Sequence, residues 1–387
     1  MLQAPNNYAA QGGAENRIHY VAKFLSWGIV ITSLVALSPM AGLVLAAFAV
    51  LFLRSAPVKK LGFVLVAIVV ALVSSTIDRV SDVERYLHLF AEAADSGLDF
   101  TQFGSEIVYP SYLTVLGSFA TQDQYLFFTA LLFAILALSL SYRYFGPVGF
   151  SLMLFNPALY QAPLFSTRQT FAMLFVLTAI CVFRRERGKL FMFVVAVLTH
   201  TSSAIFMVIS YATRIVRVNF LFQVLLILVA IVFPVGSKFA QLFSLLDSDL
   251  QYRYAYYGER LLASIPIYSP LILFPLLTWF AIGFSSTKVK HAVSSDVQVL
   301  MYFSLLFLIY FREIGNLGSR MGLAVIVFFP LYYSYALSVC RGGIRRFLLI
   351  PLGVMFVLQF FRWLVKNDLG LNEISFNGQN MINFWGL

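Results

Sequence analysis

Long apolar runs separated by short polar segments dominate the pattern of the chain. A helix needs about 17 to 25 largely apolar residues to cross roughly 30 Å of hydrocarbon. Eleven runs approach this requirement: 24–53, 61–77, 125–140, 148–164, 169–183, 190–211, 220–235, 265–284, 297–311, 321–340 and 347–364. The first run is too long for one crossing and contains Pro39, which predicts a break into two. The pattern therefore predicts an all-α polytopic membrane protein with about eleven crossings.

The composition agrees with this pattern. The chain is 60% hydrophobic and only 11% charged, with a mean hydropathy of +0.84, which is far more apolar than a soluble core of this size requires. No internal repeat or soluble module is evident, so residues 1–387 are predicted to form a single transmembrane domain.

The net charge of +10 describes the topology of the chain and gives no indication of nucleic-acid binding. Lysine and arginine lie in short segments between the apolar runs, as in the cytoplasmic loops of membrane proteins. These segments are 54–60, 184–189, 214–217, 288–290 and 341–346.

Two longer connections are predicted to lie on the outer face, at 78–121 and 237–264. The part from 78 to 106 has seven acidic residues against two basic ones, the opposite sign to the basic loops. The second connection is rich in tyrosine and nearly balanced in charge.

The segment around His200 presents a topological conflict. The basic residues near Arg184 and Arg214 both favour the cytoplasm, yet only the run 190–211 separates them. Either this run breaks near LTHTSS into a hairpin of two short helices, re-entrant or tightly spanning, or it is one straight helix with one basic segment outside. In the first case His200 lies at the break, where irregular backbone has to be buried in protein or line a wet cavity.

Candidate functional residues collect on the predicted outer face. Arg168 and Gln169 open one apolar run, and Arg312 and Arg320 flank a short connection. The other candidates are Asp82, Arg85, Tyr86, Glu106, His200, Arg253, Tyr254 and Tyr257. There is no Walker loop, no two-histidine helical spacing and no glycine fingerprint, so neither a metal nor another cofactor is expected.

Each candidate has a chemical interpretation and a structural one. Several arginines on one face offer planar forks for phosphate oxygens, whereas a single arginine at a helix start can simply reach the headgroups. Arg312 and Arg320 could instead pair with Glu313, and His200 could be a buried histidine bonded to Thr199 or Ser203. The tyrosines could stack on sugars or form an interfacial belt.

The order of several motifs resembles the EpsG/Wzy-like family of exopolysaccharide and O-antigen polymerases. The resemblance runs from about residue 78 to 320, through D..RY...F, E..YPSYL, STRQTFAMLF, LTHTSSAIF, YRYAYY and R.GL. Its best parts are the RQ helix start and the H.S segment. The resemblance implies functional roles for Arg168, His200 and Arg320.

The resemblance also implies a function, which we take as the expectation. This is a glycosyltransferase in the bacterial inner membrane that polymerises polyprenyl-diphosphate-linked repeat units at the periplasmic face. Arginines would bind the diphosphate, and His200, Glu106 or Asp82 would be the base. The implied partners are the lipid-linked donor and acceptor, membrane lipid and a chain-length regulator protein. The alternatives are a flippase for the same lipids and an O-antigen ligase-like transferase.

Overall fold

The computed structural model describes residues 43, 47, 50–52, 56–75, 81–95, 97–215, 219–234, 265–283, 294–313, 318, 320–340 and 343–366. Regular structure in these ranges is helical, and no strand occurs among them. The helices are α1 Ala56–Ser75, α2 Ser81–Asp95, α3 Val108–Gly117, α4 Gln122–Leu154, α5 Pro157–Phe165, α6 Thr167–Val182, α7 Glu186–Thr199, α8 Ala204–Ile215, α9 Phe220–Val232, α10 Pro270–Gly283, α11 Ser294–Tyr310, α12 Leu323–Val339 and α13 Gly343–Lys366. The predicted all-α class is confirmed for this part of the chain.

The predicted crossing at 148–164 differs from the structure, because its residues belong to two helices. Helix α4 begins with a capping box formed by Thr121 and Gln124 and continues to Leu154, with one kink at Gly146 (φ +68°). Asn156 then caps α5 by accepting from the backbone N–H of Ala158, and Pro157 occupies the first helical position. A residue that caps and a proline that cannot donate are both typical of a helix start, so the chain restarts here.

Helices α5 and α6 form a sharp corner that places Arg168 at the start of α6. Their axes are bent by 120° at Ser166, the residue between them. The hydroxyl groups of Thr167 and Thr170 donate hydrogen bonds to backbone carbonyl oxygens in α5, those of Pro163 and Ala162 respectively. Helix α6 then packs against α7 and against α4.

The run 190–211 is interrupted at the position where the sequence allowed a break. Helix α7 ends at Thr199, His200 is extended (φ −156°, ψ 117°), and a 3-10 turn Thr201–Ser203 leads into α8. A continuous straight helix is therefore wrong, whereas the hairpin and its topology stay predictions. Hydroxyl side chains compete for backbone groups, and Thr199 does so by donating to the carbonyl of Val195 at 2.7 Å.

The outer surfaces of several helices are apolar. Leu221 and Leu225 of α9 and Val354 and Leu358 of α13 are more than half exposed, as expected for side chains that face lipid. Within the described ranges α4 is long and apolar enough to cross a membrane alone, and α5 with α6 passes the same test as a bent pair. Other apolar helices, including α9, α10 and α11, are shorter.

Two groups of polar and charged residues lie at opposite ends of α7. Lys189 at the start of α7 pairs with Asp296 at the start of α11 at 3.0 Å, so the basic segment 184–189 and the start of α11 share one end. His200 follows the opposite end of α7, which has 14 residues and is therefore about 21 Å long. The connection 78–121 contains α2, α3 and a 3-10 turn at Phe100–Phe103, whereas 237–264 lies outside the described residues.

Candidate functional site

A single buried carboxylate organises the candidate site. Glu106 lies in the connection between the 3-10 turn and α3, and its side chain is 7% exposed. One oxygen accepts from Arg168 Nη1 at 2.6 Å. The other contacts His200 Nδ1 at 2.7 Å and accepts from the backbone N–H and the hydroxyl of Thr201 at 3.0 and 3.1 Å. Glu106 thus joins Arg168 and His200, which are distant in sequence.

The surroundings of Glu106 keep it ionised. Burial alone would raise the pKa of Glu106, but the hydrogen bonds from His200 and Thr201 and the charges of His200 and Arg168 lower this pKa to about 2. A carboxylate can only accept hydrogen bonds, so His200 has to donate from Nδ1. In the neutral imidazole the proton then resides on Nδ1, and Nε2 carries a free lone pair that can accept a proton.

The helix break around His200 produces part of this geometry. Since the backbone is extended at His200, the N–H of Thr201 begins a new helical segment and has no carbonyl of a preceding turn to bond. It donates to Glu106 instead. A carboxylate at the first turn of a helical segment is also favoured by the partial positive charge of that end.

Arg168 occupies a position that helix preferences alone disfavour. It is the second residue of α6, where the positive end of the helix dipole repels a cation. Glu106 compensates, and the ring of Phe103 lies 5.9 Å from the guanidinium carbon. The Nε–H of Arg168 is buried and has no hydrogen-bond partner among the described residues. Glu106 therefore satisfies only part of this guanidinium.

Gln169 connects α6 to Arg320, which lies three residues before the start of α12. Its side-chain amide is buried and donates to the backbone carbonyl of Arg320 at 2.5 Å. Gln169, predicted as a binding residue, here holds the backbone of a second arginine next to the cluster. Arg320 is half-buried.

Arg312 has a structural contact. Both terminal nitrogens donate to the carbonyl of Ile231 at 3.2 Å. Ile231 is in the last turn of α9, whose final carbonyls lack partners within the helix. The predicted binding residue Arg312 therefore caps α9, and the structure gives no geometric reason to include it in the site.

The remaining candidates fall into three groups. Tyr86 is half-buried on α2 and interacts with Arg168, while Arg85 on the same helix is exposed. Asp82 lies in the first turn of α2, but its side chain is outside the described part of the chain. Arg253, Tyr254 and Tyr257 also lie outside the described residues.

Sequence reasoning missed several residues around the cluster. Thr201 contributes two hydrogen bonds to Glu106, and Tyr109 and Tyr125 form a buried hydroxyl pair 3.0 Å apart. The ring of Tyr109 packs edge-on against Tyr86. The YPSYL motif adjoining Glu106 was a signal for Tyr109, whereas nothing in the sequence indicated Thr201 as a ligand of Glu106.

A helical bundle with apolar outer faces and a buried arginine–carboxylate–histidine cluster defines a class of helical, membrane-associated proteins with a polar interior site. Residues 24–377 match the sequence model of the EpsG family, and the chain belongs to this family. No curated protein and no solved structure shows significant similarity to the chain.

Proposed function

We propose that this EpsG-family protein polymerises lipid-linked oligosaccharide repeat units in the bacterial inner membrane. It would transfer a growing glycan from a polyprenyl diphosphate to a hydroxyl group of another lipid-linked unit, at the periplasmic face. Family membership supports a polysaccharide polymerase role. The observation that carries the chemistry is the contact of Arg168 and His200 with one carboxylate, Glu106.

The reaction breaks the bond between the anomeric carbon and the diphosphate oxygen and forms a bond from this carbon to the acceptor oxygen. The diphosphate leaves with the electron pair, so stabilising its developing negative charge lowers the barrier. Arg168 retains donors that Glu106 does not satisfy, and the start of α6 adds a positive dipole end. Arg320, whose backbone is held by Gln169, is the second cation that we assign to the diphosphate.

The acceptor hydroxyl loses its proton as the new bond forms. We assign this proton to His200 Nε2, because the contact with Glu106 leaves the lone pair on that nitrogen. Glu106 itself is a poor base, since its oxygens accept four hydrogen bonds and its pKa is about 2. We therefore place Glu106 as the residue that positions His200 and Arg168.

The test is complementation of a deletion strain, with analysis of the lipid-linked and surface glycan. We expect the deletion to leave single-repeat products and His200→Gln to behave like the deletion at normal protein level. His88→Gln changes an exposed histidine on α2 and should restore polymer. Accumulation of repeat units on the inner leaflet would favour a flippase, and carrier-bound polymer that is not passed to its final acceptor would favour a ligase.

A further inference from the structure

A groove of about 370 Å³ lies between α5, α10, α12 and α13. Helix α5 contributes one face to it, at Pro157, Ala158, Gln161, Ala162 and Phe165, which recur every three or four residues. The opposite face of α5 is buried in the protein core. The groove volume is within the range of roughly 300 to 1,000 Å³ found for small-molecule sites.

The walls of the groove are mainly apolar and include four phenylalanines. Leu271 and Phe274 of α10 face it, together with Phe329 of α12 and Phe356 of α13. Such a wall binds hydrocarbon through its area and offers few directional contacts.

The two ends of the groove differ from its walls. Asn156 and Ser166 flank α5 and therefore mark the two ends. Arg320 lies at the Ser166 end, because Gln169 of α6 bonds to its carbonyl, and Gln359 lies at the Asn156 end, because its neighbour Phe360 packs against Phe155. Helix α5 has nine residues, so the ends are separated by about 13 Å. The Arg320 end adjoins the candidate site, because Gln169, next to Arg168, bonds to the Arg320 carbonyl.

We propose that this groove binds the first isoprenyl units of the lipid carrier, with the diphosphate at its Arg320 end. The proposal rests on the function proposed above and locates its donor lipid. A cation at one end of an apolar channel complements an amphiphile with an anionic head and a linear hydrocarbon tail. For transfer, the diphosphate has to lie beside Arg168, and the groove is an apolar path whose Arg320 end adjoins this point.

Two leucines of α10 provide a matched pair for the test. Leu271 is 43% exposed and lines the groove, whereas Leu277 is 46% exposed and does not. Leu271→Trp fills the groove, and Leu277→Trp adds the same bulk elsewhere on the helix. Ala158→Phe fills the groove from α5 and gives a second, independent variant.

The probe is a photoreactive polyprenyl diphosphate without sugar, crosslinked to the full-length protein in lipid nanodiscs and mapped by mass spectrometry. We expect wild-type crosslinks on α5, α10 or α12, competed by unlabelled polyprenyl diphosphate but not by phosphatidylglycerol. The added side chain occupies the space that the hydrocarbon would fill, so the crosslinking of Leu271→Trp and Ala158→Phe should fall roughly tenfold, a loss of about 1.4 kcal/mol in binding free energy. Leu277→Trp should crosslink like the wild type.

The proposal is overturned if both groove variants crosslink normally, or if phosphatidylglycerol competes as well as the unlabelled probe. Polymer formation in cells tests the proposed function separately from the groove. Normal polymer from a protein whose crosslinks map elsewhere would refute only the groove. Crosslinks in the groove of a protein whose deletion leaves polymer intact would refute only the polymerase.

Discussion

Replacement of Glu106 by glutamine tests whether one carboxylate holds the site together. Glutamine has the same shape but carries one oxygen and one N–H₂ donor group. If its oxygen keeps the contacts with His200 and Thr201, its nitrogen faces Arg168 Nη1, where the present separation is 2.6 Å. Two donors then meet, and the arginine loses its counter-charge.

The ion pair with Arg168 gives the magnitude. Breaking a buried ion pair by removing one partner costs about 3 to 5 kcal/mol, and the 23% exposure of the Arg168 side chain reduces this to about 2 to 4 kcal/mol. The lowered pKa of Glu106 does not measure the same loss, because the hydrogen bonds from His200 and Thr201 lower it more than the charge of Arg168 does, and the glutamine oxygen can keep those bonds. We therefore expect a loss of about 2 to 4 kcal/mol.

The assay is thermal unfolding of the purified protein in detergent, followed by intrinsic fluorescence, together with polymer analysis in cells. Glu106→Gln should lower Tm by several degrees and abolish polymer, since both proposed catalytic groups lose their alignment. Glu84→Gln changes an exposed carboxylate on α2 and serves as the control. Unchanged Tm with normal polymer in Glu106→Gln would show that the carboxylate does not organise the site.

The remaining predictions concern the partners of this carboxylate. Arg168→Lys should lose most polymer at normal protein level, because lysine keeps the charge but not the planar fork. His200→Gln should retain binding of the lipid-linked substrate, measured by crosslinking, and lose transfer. The stability that ionised Glu106 contributes should be complete above pH 4.5 and decline as pH falls towards about 2. In this pH range the Tm of Glu106→Gln should therefore depend less on pH than that of the wild type. Arg312→Gln should lower stability by about 1 to 2 kcal/mol, seen in Tm, because Ile231 loses a charged donor.

Each of these predictions has an opposing result. Normal polymer from Arg168→Lys would show that Arg168 only contacts lipid headgroups. Arg143→Lys, at an exposed position on α4, is the matched control. Loss of substrate binding in His200→Gln would make His200 a phosphate contact. An identical pH dependence of Tm in wild type and Glu106→Gln would show that other groups dominate acid stability. An unchanged Tm in Arg312→Gln would remove its proposed role at the end of α9.

The sequence by itself determined the helical class and the residues worth testing. Apolar runs of this length form helices because every backbone polar group has to be bonded internally when no water is present. An arginine at the start of a membrane helix and a histidine within an apolar run are energetically costly in hydrocarbon. This cost is why Arg168 and His200 were identified as candidates. The Thr and Ser residues around His200 likewise indicated where the helix could break.

Tertiary structure alone decided which of these residues meet. Glu106 precedes Arg168 by 62 positions and His200 by 94, and no local periodicity relates such distances. Arg312 and Arg320 flank the same short connection, and the sequence offered no way to tell their roles apart. Their different roles likewise follow from how the helices pack. The fold places one beside Gln169 and the other over the last turn of α9. Side-chain partners across a bundle depend on how the helices pack, and the packing of α5 and α6 depends on a 120° corner that the sequence pattern did not reveal.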